Sequence, residues 1–226
     1  QNLVRVRVAD AAEQPRIGQR PLECVALRAQ HFRELCLVRG EGIDAATVVD
    51  RLGLAKDGFL LVSLHRAENV DLPQRLGVFA HAFQALGRRH NLPVIVSTHP
   101  RTRSRLEALG TGSCELVRYL EPFGFSDFLA LQRSAKLVLS DSGTVQEECA
   151  ILGVPNVTLR DVTERPETLE CGSNVLSGGS VEGILAAADV ALGGPPQWQA
   201  PPEYRADAVS DTVLRIMASH VHGLGA

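Results

Sequence analysis

The most chemically suggestive stretch of the chain is Asp141-Ser142-Gly143-Thr144, followed by Gln146, Glu147 and Glu148. An apolar strand, Leu137 to Leu139, leads into it, and a helical pattern leads out. A small polar turn at that junction leaves the first amides of the helix uncapped, at the positive end of its dipole. Several N–H donors then converge where no side chain blocks an incoming anion. Further along the helix, Glu148 offers a carboxylate able to accept hydrogen bonds from two vicinal hydroxyls. A diphosphate at one end and a ribose at the other are what a nucleotide-sugar presents. The same string also suits a plain strand-to-helix connection, with Ser142 as N-cap and Glu148 as a solvated acid. Val145, Cys149 and Leu152 recur at i, i+4 and i+7 and must face a sheet, so Thr144 and Glu148 share another face, toward the strand's carboxyl end. Gly153-Val154-Pro155 stops the helix.

Two other strand ends carry polar groups. His65-Arg66-Ala67-Glu68-Asn69 follows the apolar run Phe59–Leu64 and delivers an imidazole and a guanidinium together. The first can move a proton near neutral pH and the second can fork onto a phosphate. Alternatively this is a solvated loop with His65 bonded to a carbonyl. Thr98-His99-Pro100-Arg101 follows Val94–Ser97 and reads equally as an ordinary helix start. In Glu121-Pro122-Phe123-Gly124-Phe125-Ser126-Asp127-Phe128 the aromatics could flank a base, although Phe125 and Phe128 at helical spacing suit a core. Arg160 to Glu167 sets two arginines and three acids after a strand, a composition suited to a sugar or diphosphate clamp.

The elements that would position these groups alternate regularly from residue 59 onward. Apolar β-type runs fall at Phe59–Leu64, Val94–Ser97, Glu115–Arg118, Leu137–Leu139, Asn156–Leu159 and, more weakly, Asn174–Leu176. Helical patterns lie between them at roughly 74–90, 101–109, 125–134, 143–152 and 180–192, with a last one near 206–219. Strands apolar throughout and separated by helices predict an α/β fold: a doubly wound, Rossmann-like parallel sheet covered on both faces. Right-handed crossovers put its ligands beyond the strands' carboxyl ends, where every polar run above occurs. Asp44–Leu54 suggests a short helix feeding the first strand. Residues 1–45 show no clear period and read as an irregular leader or the remnant of a preceding domain, ahead of a domain at 46–226.

Of the 226 residues, 45% are hydrophobic and only 4% aromatic, so the core is built from Leu, Val, Ala and Ile. A formal charge of −3 with acids and bases intermixed argues against a nucleic-acid surface, so any anion site must be local. No apolar run reaches the roughly 18–20 residues of a membrane helix. Five cysteines without C-x-x-C spacing read as free thiols of a cytoplasmic protein, and the histidines lack metal-ligand spacing.

Taken jointly, Asp141-Ser142-Gly143-x-x-Gln146-Glu147-Glu148, the following Leu-Gly-x-Pro, Arg160-Asp-x-Thr-Glu-Arg-Pro-Glu, His65-Arg66-x-Glu68-Asn69 and the Glu-Pro-Phe segment resemble the signature of the non-hydrolysing UDP-N-acetylglucosamine 2-epimerases. The resemblance covers about residues 46–219, in order and spacing. Within the family, the wording is most similar to the branch that forms UDP-N-acetyl-L-fucosamine. It implies a two-domain GT-B architecture of which this is the C-terminal, UDP-binding half, and a homodimer for the full-length enzyme. It further implies that the N-terminal acids and bases have no counterpart in residues 1–40.

The reaction implied is removal of the C2 proton coupled to loss of UDP from C1, through an unsaturated, glycal-type intermediate, then re-addition with inversion at C2. No cofactor, nicotinamide or metal is implied. By resemblance, His65 is catalytic in the crevice and Glu148 holds the ribose, with Phe128 beside the uracil. The amides of Ser142, Gly143 and Thr144, with Arg66 and Arg165, receive the charge of the departing diphosphate. A GT-B glycosyltransferase domain and a non-catalytic UDP-sugar-binding remnant stand as the alternatives, the Glu-Arg-Pro-Glu segment favouring the epimerase.

Overall fold

The computed structural model describes residues 47–205 and 211–216. The first span lies in a compact unit, Gly40–Arg205; the helical residues 211–216 belong to a separate unit. The predicted leader and the start of the helix at Asp44 lie outside the described residues, as does most of the helix near 206–219.

Six strands form one sheet: β1 Leu60–Ser63, β2 Val94–Ser97, β3 Val117–Leu120, β4 Leu137–Ser140, β5 Asn156–Thr158 and β6 Asn174–Leu176. All neighbours run parallel, in the order β3-β2-β1-β4-β5-β6. The helices are α1 Val48–Arg51, α2 Ala67–Val70, α3 Pro73–His90, α4 Pro100–Ala108, α5 Phe125–Ser134, α6 Gly143–Leu152, α7 Pro166–Glu170 and α8 Val181–Leu192, and a 3-10 turn follows at Pro202–Arg205. This is the doubly wound Rossmann order, and the strand sequence reverses between β1 and β4.

The near-continuous apolar strands are explained by two cores. Leu60 and Val62 of β1 point to one face, where Leu76, Phe79 and Phe83 of α3 and Ile184 of α8 cover them. Phe59 and Leu61 point to the other, against Leu129 and Leu131 of α5 and Val145 and Cys149 of α6. Alternate side chains therefore enter opposite cores, so neither parity can be polar. Both cores run out at the carboxyl edge, where Ser97, Ser63, Ser140 and Thr158 lie side by side in register. Small hydroxyl residues there leave room for the turns that build a crevice.

One predicted strand is displaced. β3 begins at Val117 rather than Glu115, because Cys114 and Val117 exchange backbone hydrogen bonds in a tight turn that uses Glu115 and Leu116 as its bend. Among the described residues no helix is long and apolar enough to cross a membrane.

Helix α6, which carries most of the candidate groups, stops at Gly153 in the left-handed region with φ 73°. Val154 N–H then bonds back to the Cys149 carbonyl. Space is not limiting there, since a Cβ on Gly153 would touch nothing within 4 Å. Gly153→Ala is therefore expected to cost about 1–2 kcal/mol through backbone strain alone, read from urea denaturation with an unchanged m-value.

Candidate functional site

Asp141, the first residue after β4, is completely buried at the point where the strand order reverses. A carboxylate withdrawn from water must be met by donors, and the turn after β1 supplies them. The backbone N–H of His65 stands 3.2 Å from both Asp141 oxygens, that of Arg66 2.9 Å from one, and Asn69 Nδ2 donates at 3.0 Å. His65 Nδ1 lies 2.9 Å from Asp141 Oδ1. Arg66 Nε returns a bond to the Asp141 carbonyl at 2.8 Å. Burial alone would raise the Asp141 pKa, but the bonds from His65, Arg66 and Asn69 outweigh it and hold it below the usual carboxylate range. The same bond to Asp141 raises the pKa of His65 against its own partial burial. With Nδ1 engaged, Nε2 is the nitrogen left for a ligand.

A second tier holds this turn in place. Asn69 also donates to the Leu159 carbonyl at 3.0 Å and accepts from Arg75 Nε at 2.8 Å. Arg75 pairs in turn with Asp161 at 2.9 Å and covers the ring of Phe79. A Cβ at Gly179 would lie 2.9 Å from the Arg75 guanidinium, so that side chain would have to shift to admit it.

On the other side of Asp141 stands the mouth of α6. Ser142 is the N-cap residue in extended backbone, but no side chain caps the first turn. Its own N–H donates to Ser140 Oγ at 3.1 Å. Above Gly143 lies Arg165, whose guanidinium carbon would stand 3.9 Å from a Cβ at that position. Arg165 is ion-paired with Glu147, and its Nη1 donates to the Glu164 carbonyl at 3.0 Å.

Gln146 ties this arrangement together from inside. Its Oε1 accepts from Thr163 Oγ1 at 2.7 Å and Asn174 Nδ2 at 3.2 Å, and its Nε2 reaches the Ser142 carbonyl at 3.4 Å. Thr163 Oγ1 accepts the Arg165 N–H at 3.1 Å, so the buried amide indirectly sets where Arg165 stands.

His65, Arg66, Ser142, Gly143 and Arg165 thus share one mouth, with Thr144 exposed on its rim. The two arginines of the Arg160–Glu167 run part company. Arg165 is at the mouth, whereas the Arg160 side chain is buried between Glu68, at 3.3 Å, and Glu164, at 2.9 Å. Arg160 is committed to holding the loops and is not part of an open clamp. His99 accepts the Arg101 N–H as N-cap of α4, while Arg101 and Arg105 bind Asp71, so the basic run after β2 is a helix start.

Glu148 is only 6% exposed and lies against α5, where Gln132 Nε2 donates to its Oε2 at 2.7 Å. It is not a solvated surface acid. Burial pushes its pKa up to about 7, with Glu147 adding to the rise and the Gln132 bond opposing it. Phe128 is partly buried and packs with Phe125 against the second core. In the sequence Asp141, Asn69 and Gln146 stand only as members of polar runs, and Gln132 is not among the candidates. Their common signal is a polar residue at an otherwise apolar or strand-terminal position.

A carboxyl whose folded pKa lies above its unfolded value stabilises the fold when protonated, and that contribution is lost as the pH rises through the folded pKa. Glu148→Gln keeps the shape without the charge. Relative to the parent chain it is expected to be near neutral at pH 5 and to gain about 2–3 kcal/mol at pH 8, measured by denaturant unfolding.

The family model described as UDP-N-acetylglucosamine 2-epimerase matches residues 33–218. The UDP-N-acetylglucosamine 2-epimerase of Methanocaldococcus jannaschii is 41% identical over 149 residues, covering 64% of this chain and 41% of that protein. The UDP-2,3-diacetamido-2,3-dideoxy-D-glucuronate 2-epimerase of Pseudomonas aeruginosa is 43% identical over 143 residues, covering 63% and 40%. The chain thus spans about two fifths of the length of these curated relatives. A crystal structure of the M. jannaschii enzyme in complex with UDP-GlcNAc and UDP superposes with a TM-score of 0.73 at 34% identity, covering 82% of this chain and 52% of that one. The sheet is accordingly the Rossmann-like half of a GT-B architecture, and the chain belongs to the UDP-N-acetylglucosamine 2-epimerase family.

Proposed function

We propose that the crevice between β1 and β4 binds the UDP moiety of a UDP-N-acetylhexosamine, and that this chain serves a non-hydrolysing 2-epimerase. The observation that carries the reading is the convergence of three anion-binding features on one mouth: the uncapped first turn of α6, Arg165 above Gly143, and His65 and Arg66 pinned to Asp141. The two relatives named above act on UDP-sugars that both bear an acetamido group at C2, which fits this substrate class.

Epimerisation requires the C2–H and C1–O bonds to break. The C2 proton leaves to a base, its electron pair forms a C1=C2 double bond, and UDP departs from C1 with the C–O pair. Return of a proton to the opposite face of C2 and of UDP to C1 gives the epimer. Charge accumulates on the diphosphate as C1–O breaks, so donors already fixed at that position lower the barrier. The Ser142 amide, expected among them, is already taken by Ser140 Oγ, so the amides of Gly143 and Thr144 supply them without losing freedom, and Arg165 and Arg66 add fixed cations. His65, kept protonated more readily by Asp141, donates from Nε2 to a phosphate oxygen or exchanges a proton with the sugar. Glu148 accepts from the ribose hydroxyls, and Phe128 lines the uracil end.

UDP is expected to raise the melting temperature of the chain by about 5–10 °C at a hundredfold excess over Kd. UMP, lacking the second phosphate, is expected to do so much less. Equal shifts would contradict a diphosphate held at the α6 mouth.

A further inference from the structure

We propose that Gln132, on the neighbouring helix α5, is a positioning residue that aims the Glu148 carboxylate at the ribose diol of the bound nucleotide. The inference deepens the reading of the crevice as a UDP site and rests on it.

Gln132 is completely buried, on a helix whose Leu129, Ala130 and Leu131 are buried too. A primary amide placed there must satisfy both of its ends or lose stability. Its Nε2 donates to Glu148 Oε2 at 2.7 Å, and its Oε1 accepts from Cys149 Sγ at 3.8 Å. Cys149 is fully buried, and its thiol is kept protonated by that burial, so it remains a donor. The reversed amide would set its carbonyl oxygen against the carboxylate, so only one orientation is available. Both partners are buried, on successive residues of α6.

The consequence falls on Glu148. Gln132 occupies one carboxylate oxygen, whereas Oε1 has no hydrogen-bond partner among the described residues and is not wholly enclosed. That oxygen is therefore presented outward with its lone pairs unspent. A side chain bonded on both oxygens would have fewer lone pairs left for a diol, and one bonded on neither would rotate or take up a proton.

Other charges do not perform this task. On its own helix Glu147 disfavours ionisation of Glu148, and its charge is engaged by Arg165. Of the elements packed on α6, α5 contributes Asp127, bonded to Arg51, and Arg133; the end of β4 contributes Asp141, bonded to His65. Helix α7 contributes Glu167, bonded to Tyr204, and the exposed Glu170, and β5 contributes no titratable group. Gln132 is the one donor to Glu148 among the described residues, so removing it delays ionisation of the ribose-binding carboxylate to higher pH.

Calorimetric titration of UDP and of 2′,3′-dideoxy-UDP between pH 6 and 8.5 tests this with the parent chain and Gln132→Met. The parent is expected to prefer UDP. Gln132→Met is expected to lose about 5–10-fold in UDP affinity, the worth of one hydrogen bond, to keep its affinity for the dideoxy nucleotide, and to acquire its UDP preference at higher pH. An unchanged preference and pH midpoint, or equal losses for both nucleotides, overturns the role of Gln132 while leaving the UDP site standing. A parent chain that binds both nucleotides equally removes the ribose role of Glu148, and one that binds neither removes the UDP site. Should Gln132→Met not fold, Gln132→Glu serves: its carboxyl donates to Glu148 when protonated and repels it when ionised. Its UDP preference should then persist at acid pH and vanish at alkaline pH; persistence across the range overturns the proposal.

Discussion

Asp141 is the constraint on which the rest of the crevice depends. A buried carboxylate left without donors would cost several kcal/mol or take up a proton, and here four donors meet it, all delivered by the turn after β1. The carboxylate that follows β4 therefore dictates the conformation of a loop about 75 residues earlier in the chain. That bond network spans the one place where the strand order reverses, where no helix crosses and a ligand can enter. It also chooses which imidazole nitrogen of His65 remains open.

The opposite wall is organised by neutral amides. Gln146 reaches Thr163, Asn174 and the Ser142 carbonyl, linking α6 to the loop that carries Arg165. Arg165 rests between Glu147 and the α6 mouth, paired but only half-buried. A partnered arginine at a surface ion pair gives up little when a more highly charged anion arrives. In the proposed function this lets the diphosphate compete with Glu147 for the guanidinium. In the proposed site Gln132, which donates to Glu148, plays the corresponding part, so that buried glutamines would hold both ends.

Much of this was legible in the residue pattern, for physical reasons that can be named. Strands buried on both faces have no polar parity, which made β1, β2 and β4 visible as apolar runs. The regular alternation with helices gave the doubly wound sheet. Boundaries set by hydrogen bonds between residues a few positions apart were less visible, as the turn at Cys114–Val117 that displaces β3 shows. Residues at the crevice were found because they follow strand ends, a topological rule. Asp141 was seen only as a member of a polar turn, since its role depends on donors far away in sequence. Arg160 and Arg165 look alike in the chain; only packing separates the arginine enclosed by carboxylates from the one at the mouth.

The most direct measurement is an NMR titration of the His65 imidazole in the parent chain and in Asp141→Asn, each with and without UDP. His65 is expected to titrate above the ordinary histidine value in the parent and higher again with UDP, because both Asp141 and the diphosphate favour the cation. In Asp141→Asn the imidazole should titrate lower and UDP should bind more weakly. An imidazole that titrates alike in both chains and does not respond to UDP would contradict these expectations.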